Sequence, residues 1–437
     1  MNPRAPLLSL LAFGAFSIGL ALASPAQDLF IQASNDLAFT YNGYSKALVW
    51  DFARKFQPDL DKACAGQESA CPYTAATPVL KAMIAELNDG HSYYLSVEQR
   101  ADADRSQAGQ GPTKPKIGIT LGDVSGSNDI LVTDVVAGAP AARAGLRRGD
   151  RLTALNGRQS SSFTTGTEFR QALIDAVGAG KPVTIRVARG KSPAGEVIVV
   201  GEILSTPALP SMSYLPGNVA DLRIPNFQAV GLVAQKVHDL VNQAVERKVS
   251  AMLLDLRDNS GGAVVEMLAA TGAFLPIVGF AYQARDGSSI NQWSSGRITA
   301  GEGEGVYHIQ NPAHYDGPLD VLINSHSGSG PEYMAQFLQD AHRATVIGEP
   351  SAGVANTVVR RFGLLDGSAL AITIAKSVRL DGTPLPERVT PDVTVKDDLD
   401  TLAATGQDLL LDAGVKAFTS PSSTMAAPIS VAPANAP

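Results

Sequence analysis

The chain has 437 residues, 45% of them hydrophobic and 18% charged, which indicates globular structure in two or three domains, each able to bury a core. Its formal net charge is −7 and no Lys/Arg cluster interrupts it. That excludes nucleic acid as a partner, because phosphate binding requires a concentrated basic surface.

Met1-Asn2-Pro3-Arg4 is weakly basic and leads into an apolar run that closes on small residues, the pattern of a signal peptide over residues 1–26. Cleavage after Ala23 (A-L-A) and after Ala26 (S-P-A) fit equally well. No later segment reaches the roughly 20 apolar residues that a membrane span needs, so the mature chain is expected to be soluble, without a stable membrane span, and periplasmic or secreted. In such an oxidising compartment Cys64 and Cys71, the two cysteines of the chain, are expected to close a small disulfide loop. Without a nearby histidine they do not make a zinc site. No metal and no cofactor is expected.

Residues 27–105 carry helical periodicity, as in V-L-K-A-M-I-A-E-L-N-D-G, where Leu80, Met83, Ile84 and Leu87 share a face and Gly90 is a stop signal. The polar turn that follows carries His91 out of the helix. A Gly/Pro/Ser/Gln stretch near 106–115 marks a boundary. Residues 113–205 then give short alternating strands and resemble a PDZ domain in their order: a binding loop at Ile117-Gly118-Ile119, the phrase P-A-A-R-A-G-L-R-R-G-D from Pro140 to Asp150, and a hairpin turn at Asn156-Gly157. Such domains take a peptide as an added strand and hold its terminal carboxylate on loop N–H groups. From 210 to 400 apolar strands alternate with helices, which implies parallel pairing and an α/β core. Residues 418–437 are poor in charge and rich in Pro, Ala and Ser, and are expected to be disordered.

Two turns of this core draw attention. In I-N-S-H-S-G-S-G-P-E-Y-M a strand breaks into Ser and Gly and restarts as a helix at Pro331, which puts Ser329 at a helix N-terminus facing unpaired N–H groups. In L-D-L-R-D-N-S-G-G a second strand ends in Gly261 and Gly262. Parallel strands bring such turns to one edge.

Taken in order, the helical lead-in, the PDZ-like insert, D-L-R-D-N-S-G-G, S-x-S-x-x-E, V-I-G-E-P and E-R-V-T-P-D-V resemble the C-terminal processing (tail-specific) protease family over residues 28–400. The resemblance implies a ClpP/crotonase-like α/β core, a serine endopeptidase acting on protein or peptide substrates, Ser329 as nucleophile, and oxyanion donors from Gly330 and from Gly261 or Gly262. The Ser-Lys members carry a lysine base 25 residues after the nucleophile, where this chain has Val354. Either the chain is an inactive, peptide- or ligand-binding relative, or it is similar to the tricorn-like branch, with His91 as base and Glu387 orienting the ring. Ser92 beside His91 is a candidate accessory group. A histidine base would titrate near its ordinary value of about 6.5. The competing bases are weaker: His326 sits on the nucleophile's own turn, His342 ends a helix, and Lys376 lies on a strand face. The family also resembles the retinoid-binding repeats of photoreceptors, which leaves a binder of apolar small molecules as a further alternative. The oligomeric state is not legible in the sequence.

Overall fold

The computed structural model describes residues 23–67, 69–300 and 307–418. Residues 1–22 of the expected leader and all of the expected disordered tail but Phe418 lie outside them. Among the described residues no helix is long and apolar enough to cross a membrane.

The lead-in is helical. Pro25 opens the helix Pro25–Thr40, and the Ser24 hydroxyl accepts the Gln27 N–H at 3.3 Å, so one of the four unpaired donors of the first turn is satisfied. Leu29, Phe30, Ala33 and Leu37 recur at helical spacing and are fully buried against Phe52, Phe56 and Met83. The helix Phe52–Ala63 ends at Cys64, which is bonded to Cys71 as the sequence implied. The Cys71 carbonyl in turn accepts the Ala26 N–H at 3.0 Å, so the disulfide loop pins the start of the first helix.

The PDZ-like module is a sheet in the order Ile119–Asp123, Ile130–Val135, Asp150–Leu155, Pro182–Arg189, Ser192–Val200. The helix Gly166–Gly178, capped by Thr165, buries Phe169, Leu173 and Val177 against it. Asn156 and Gly157 both have positive φ, 50° and 81°, as a tight hairpin turn of this type requires. The module is clamped to the core by buried charge. Arg148 reaches Asp397 and Asp408 at 2.7 Å each, and Arg223 of the core reaches Asp134 at 3.1 Å.

The core contains a six-stranded sheet, Val393–Thr394, Thr345–Gly348, Leu319–Ile323, Ala251–Asp255, Val219–Arg223, Ser211–Leu215, parallel except at the last pairing. Every residue of Ala251–Asp255 and Leu319–Ile323 is buried. That is expected of parallel strands covered on both faces: the helices Val233–Arg247, Val264–Thr271 and Gly330–Asp340 cover one, and Leu409–Ala417 the other.

One part of the core departs from the expected strand–helix alternation. Ile277–Ala284, Gly287–Ser294, Arg297–Ala300 and Tyr307–His308 form an antiparallel meander, which joins Thr357–Gly363, Ala369–Val378 and Tyr93–Leu95 in a seven-stranded sheet. The periodicity of the meander strands is irregular, because their two faces alternate between core and solvent without a clean period of two.

Candidate active site

Strands Ala251–Asp255 and Leu319–Ile323 are neighbours, with Asp255 opposite Leu322, so the turns after them meet at one sheet edge. The two turns are braced to each other. Asn324 Oδ1 accepts the Asp258 N–H at 3.0 Å, Asn324 Nδ2 donates to Asp258 Oδ1 at 2.9 Å, and the Gly328 N–H donates to the Asn259 carbonyl at 2.9 Å. Only glycine fits where they touch. A Cβ on Gly261, whose φ is 91°, would lie 2.8 Å from Ser329 Cβ and 3.0 Å from Gly330 N.

Ser329 sits at the N-cap of Gly330–Asp340 with φ 64° and ψ −112°, a conformation that costs a non-glycine residue roughly 1–3 kcal/mol and persists only when its surroundings fix it. They do so here. Its N–H donates to Glu332 Oε2 at 2.6 Å, and its carbonyl accepts the Glu332 and Tyr333 N–H groups at 2.9 and 3.2 Å. The Gly330 N–H opens the helix and has no partner among the described residues. Gly262 likewise keeps its N–H free, whereas the Gly261 N–H is held by Asn259 Oδ1 at 2.8 Å. Of the two glycines expected as second oxyanion donor, Gly262 is the one whose N–H has no partner among the described residues.

Glu332 enters the sequence reading only as a helix-start signal and as the last residue of the S-x-S-x-x-E phrase. It is fully buried, and its carboxylate also accepts the Ser351 hydroxyl at 2.6 Å and the Gly353 N–H at 2.8 Å. Burial raises its pKa, while these hydrogen bonds oppose the shift. It therefore ties the Ser329 turn to the 351–354 loop.

At the end of that loop Val354 lies between the two candidate catalytic turns. Its Cγ1 is 3.3 Å from where a Cβ on Gly90 would be, and its Cγ2 is 3.8 Å from the corresponding point on Gly328. The histidine turn beyond it is built by Asp89, whose Oδ1 accepts the N–H groups of His91 at 2.8 Å and Ser92 at 3.0 Å. His91 is 7% exposed. Its Nδ1 is 2.9 Å from Thr357 Oγ1, and Nε2 has no partner among the described residues. Burial pushes the imidazole down to about 4, against the pull of the Asp89 charge. The ordinary histidine titration expected from sequence is therefore displaced downward.

A cavity of about 690 Å³ opens beside the ring, lined by His91, Val354, Asn356, Thr357, Tyr44 and Glu387 among others. Glu387 thus shares the cavity with His91 and is exposed, but among the described residues the ring's hydrogen bond is made by Thr357. Ser92 is not available as an accessory group. Its hydroxyl donates to Asp89 Oδ2 at 3.1 Å and accepts the Thr373 N–H at 3.0 Å, which fastens the turn to strand Ala369–Val378.

The alternative bases lie elsewhere. His326 is 73% exposed beside Asp258, with Nδ1 3.4 Å from its carboxylate, and Lys376 Nζ stacks 4.5 Å over the Tyr44 ring. In the module, Ile117 is buried in the core and its carbonyl accepts the Ala141 N–H at 3.0 Å; Gly118, at φ 74°, turns the chain into Ile119, the first residue of strand Ile119–Asp123.

Comparison with known proteins bears on the fold and the domain types. Residues 218–395 match the family model for Peptidase family S41, and residues 131–189 the one for a PDZ domain. The core is thus similar to the S41 serine peptidases. Among curated relatives, the carboxy-terminal-processing protease of Bartonella bacilliformis is 27% identical over 322 residues, which is 71% of this chain and 67% of that one. The carboxyl-terminal-processing protease of Synechocystis is 26% identical over 317 residues, 70% of this chain and 66% of that one. The chain thus spans about two thirds of the length of these relatives. A solved structure from Bacteroides fragilis, assigned to the S41 proteases, superposes with a TM-score of 0.57 at 17% identity, over 87% of this chain and 99% of its own. It shares the fold.

Proposed function

We propose that this chain is an exported endopeptidase that hydrolyses peptide bonds of protein substrates through Ser329 and His91. The observation that carries the reading is the conformation of Ser329, held at φ 64° on a helix N-terminus against Gly261, with Val354 packed between its turn and that of His91.

In this reading neutral His91 takes the Ser329 Oγ proton on Nε2 as Oγ attacks the scissile carbonyl, and later returns it to the leaving amine. The tetrahedral oxyanion is held by the N–H groups of Gly330 and Gly262, in a site where the helix dipole has the favourable sign. Nδ1–H donates to Thr357 Oγ1, which fixes the tautomer that leaves Nε2 as acceptor. Glu387 contributes charge across the cavity to the imidazolium, without holding the ring. The PDZ-like module recruits substrate C-termini, and the N-terminal leader directs the chain to the periplasm or outside.

A second reading, a catalytically silent peptide binder, is favoured by Val354, which fills the lysine position with an apolar side chain. Labelling by a fluorophosphonate probe decides between them. The enzyme labels, and Ser329→Ala and His91→Ala each abolish labelling and peptide hydrolysis; a correctly folded wild-type chain that neither labels nor cleaves casein or unstructured peptides overturns the enzyme reading.

A further inference from the structure

The PDZ-like module already has something lying across its peptide-receiving edge. Strand Ile119–Asp123 is the end strand of the module's sheet, and its outer edge has no strand partner among the described residues. Backbone groups on such an edge pair readily with an added chain. Yet Arg170, on the helix Gly166–Gly178 that flanks this edge, donates from Nη1 to the Leu121 carbonyl at 2.9 Å and pairs through Nη2 with the Asp123 carboxylate. One guanidinium thus covers a main-chain acceptor of the edge and is neutralised by a side chain of the same strand.

The two ends of this contact differ in environment. The Arg170 side chain is 27% exposed and Asp123 is 83% exposed, so Asp123 is a solvated and replaceable partner. One helical turn on from Arg170, Ile174 is 53% exposed, which adds an apolar surface to the same helix face.

We propose that the groove selects protein C-termini with a carboxylate side chain at the third residue from the end, which takes Arg170 from Asp123 as the peptide pairs with the strand. This rests on the reading that the module recruits C-termini. The position follows from register. The terminal carboxylate sits at the Gly118-Ile119 loop, Leu121 lies two residues along the strand, and pairing advances one peptide residue per strand residue, so the third residue from the end lies opposite Leu121. Its side chain points to the same face as the last residue, because strand side chains alternate. Peptide entry transfers Arg170 from Asp123 and the Leu121 carbonyl to the incoming acid, and the freed carbonyl accepts a peptide N–H. A basic residue at that position meets Arg170 instead and is rejected.

Fluorescence anisotropy tests this on the full-length Ser329→Ala chain, which cannot consume its ligand. The probes are two fluorescein-labelled octapeptides, identical except that one ends in Glu-Ala-Val and the other in Lys-Ala-Val with a free carboxylate. The glutamate peptide is expected to bind about fivefold or more tightly. Adding Arg170→Ala brings the ratio to one, and Arg170→Gln does the same where alanine unfolds the module. Asp123→Asn, which removes the internal competitor, tightens the glutamate peptide further. Equal binding of the two peptides, or a preference that survives loss of Arg170, overturns the charge selection and leaves recruitment standing. Binding of neither peptide, with and without Asp123→Asn, overturns both.

Discussion

His91 Nδ1 lies 2.9 Å from Thr357 Oγ1, so the ring of the proposed base is held by a neutral hydroxyl. Thr357 is 6% exposed at the start of strand Thr357–Gly363, and its carbonyl accepts the Tyr333 hydroxyl at 2.9 Å. The position of Oγ1 is therefore fixed from the nucleophile's own helix. Thr357→Val keeps the shape and deletes the bond, leaving a buried imidazole N–H without its acceptor at a cost of about 1–2 kcal/mol. Turnover is expected to fall about tenfold to thirtyfold with KM little changed, and Thr357→Ser to restore most of it. A valine variant as fast as the parent would remove Thr357 from the mechanism.

The pH dependence separates this buried histidine from an ordinary one. With its titration pushed down to about 4, His91 is neutral and competent as a base from about pH 5 upward, so kcat/KM is expected to be flat from there to neutrality. A profile with its half-maximum near 6.5 would show that the ring is solvated in the working enzyme.

The same displacement has a stability consequence. Above about pH 7.5 the ring is neutral in both states and contributes no pH dependence. Between about 6.5 and 4 the unfolded chain takes up a proton that the native chain refuses, so stability falls as pH falls. A titration lowered from 6.5 to about 4 corresponds to roughly 3 kcal/mol at the acid end. Urea unfolding at pH 7 and pH 4.5 is expected to show a smaller loss for His91→Asn than for the parent. An equal loss in both would place the acid sensitivity elsewhere.

Much of this arrangement is legible in the sequence, for physical reasons. The Ser329 turn announces itself because a strand end, small residues, Pro331 and Glu332 each restrict the backbone locally, and together they specify one helix start. The His91 turn is visible for a similar reason, since Asn88, Asp89 and Gly90 must break the helix before it. Thr357 leaves no such trace: it stands 266 residues from His91 and is an unexceptional strand residue until the sheet is folded. Glu387 is visible as a charge near a recognisable phrase, but whether it bonds the ring depends on distances that no local pattern encodes. The resolution between Gly261 and Gly262 depends in turn on Asn259 turning its side chain back onto the first of them.

Glu332 offers a test of how strongly the nucleophile's conformation depends on its support. The carboxylate receives N–H groups from Ser329, Gly353 and Val354 and a hydroxyl from Ser351. Glu332→Gln is nearly isosteric but puts an NH2 among donors. We expect a loss of turnover of about a hundredfold or more and a fall in stability of about 1.5–3 kcal/mol, the scale of hydrogen bonds to a charged group. Fluorophosphonate labelling should slow in parallel. An unchanged labelling rate would show that Ser329 holds its positive φ without this carboxylate.

The N-terminus gives the last test, which decides between two leader cleavage sites that the sequence left equal. Cleavage after Ala23 keeps Ser24 as the cap of the first helix, Pro25 at its start, and the Ala26 N–H on the Cys71 carbonyl. Cleavage after Ala26 removes all three, including a fully buried alanine; loss of a serine cap alone costs about 1 kcal/mol. The disulfide loop that anchors this contact, about 2.5 kcal/mol on the chain-entropy model, would then hold a frayed helix end. Intact-mass and N-terminal sequencing of the exported protein are expected to give Ser24 as the first residue. A first residue of Gln27 would mean that the cap and the Ala26–Cys71 hydrogen bond play no part in the mature fold.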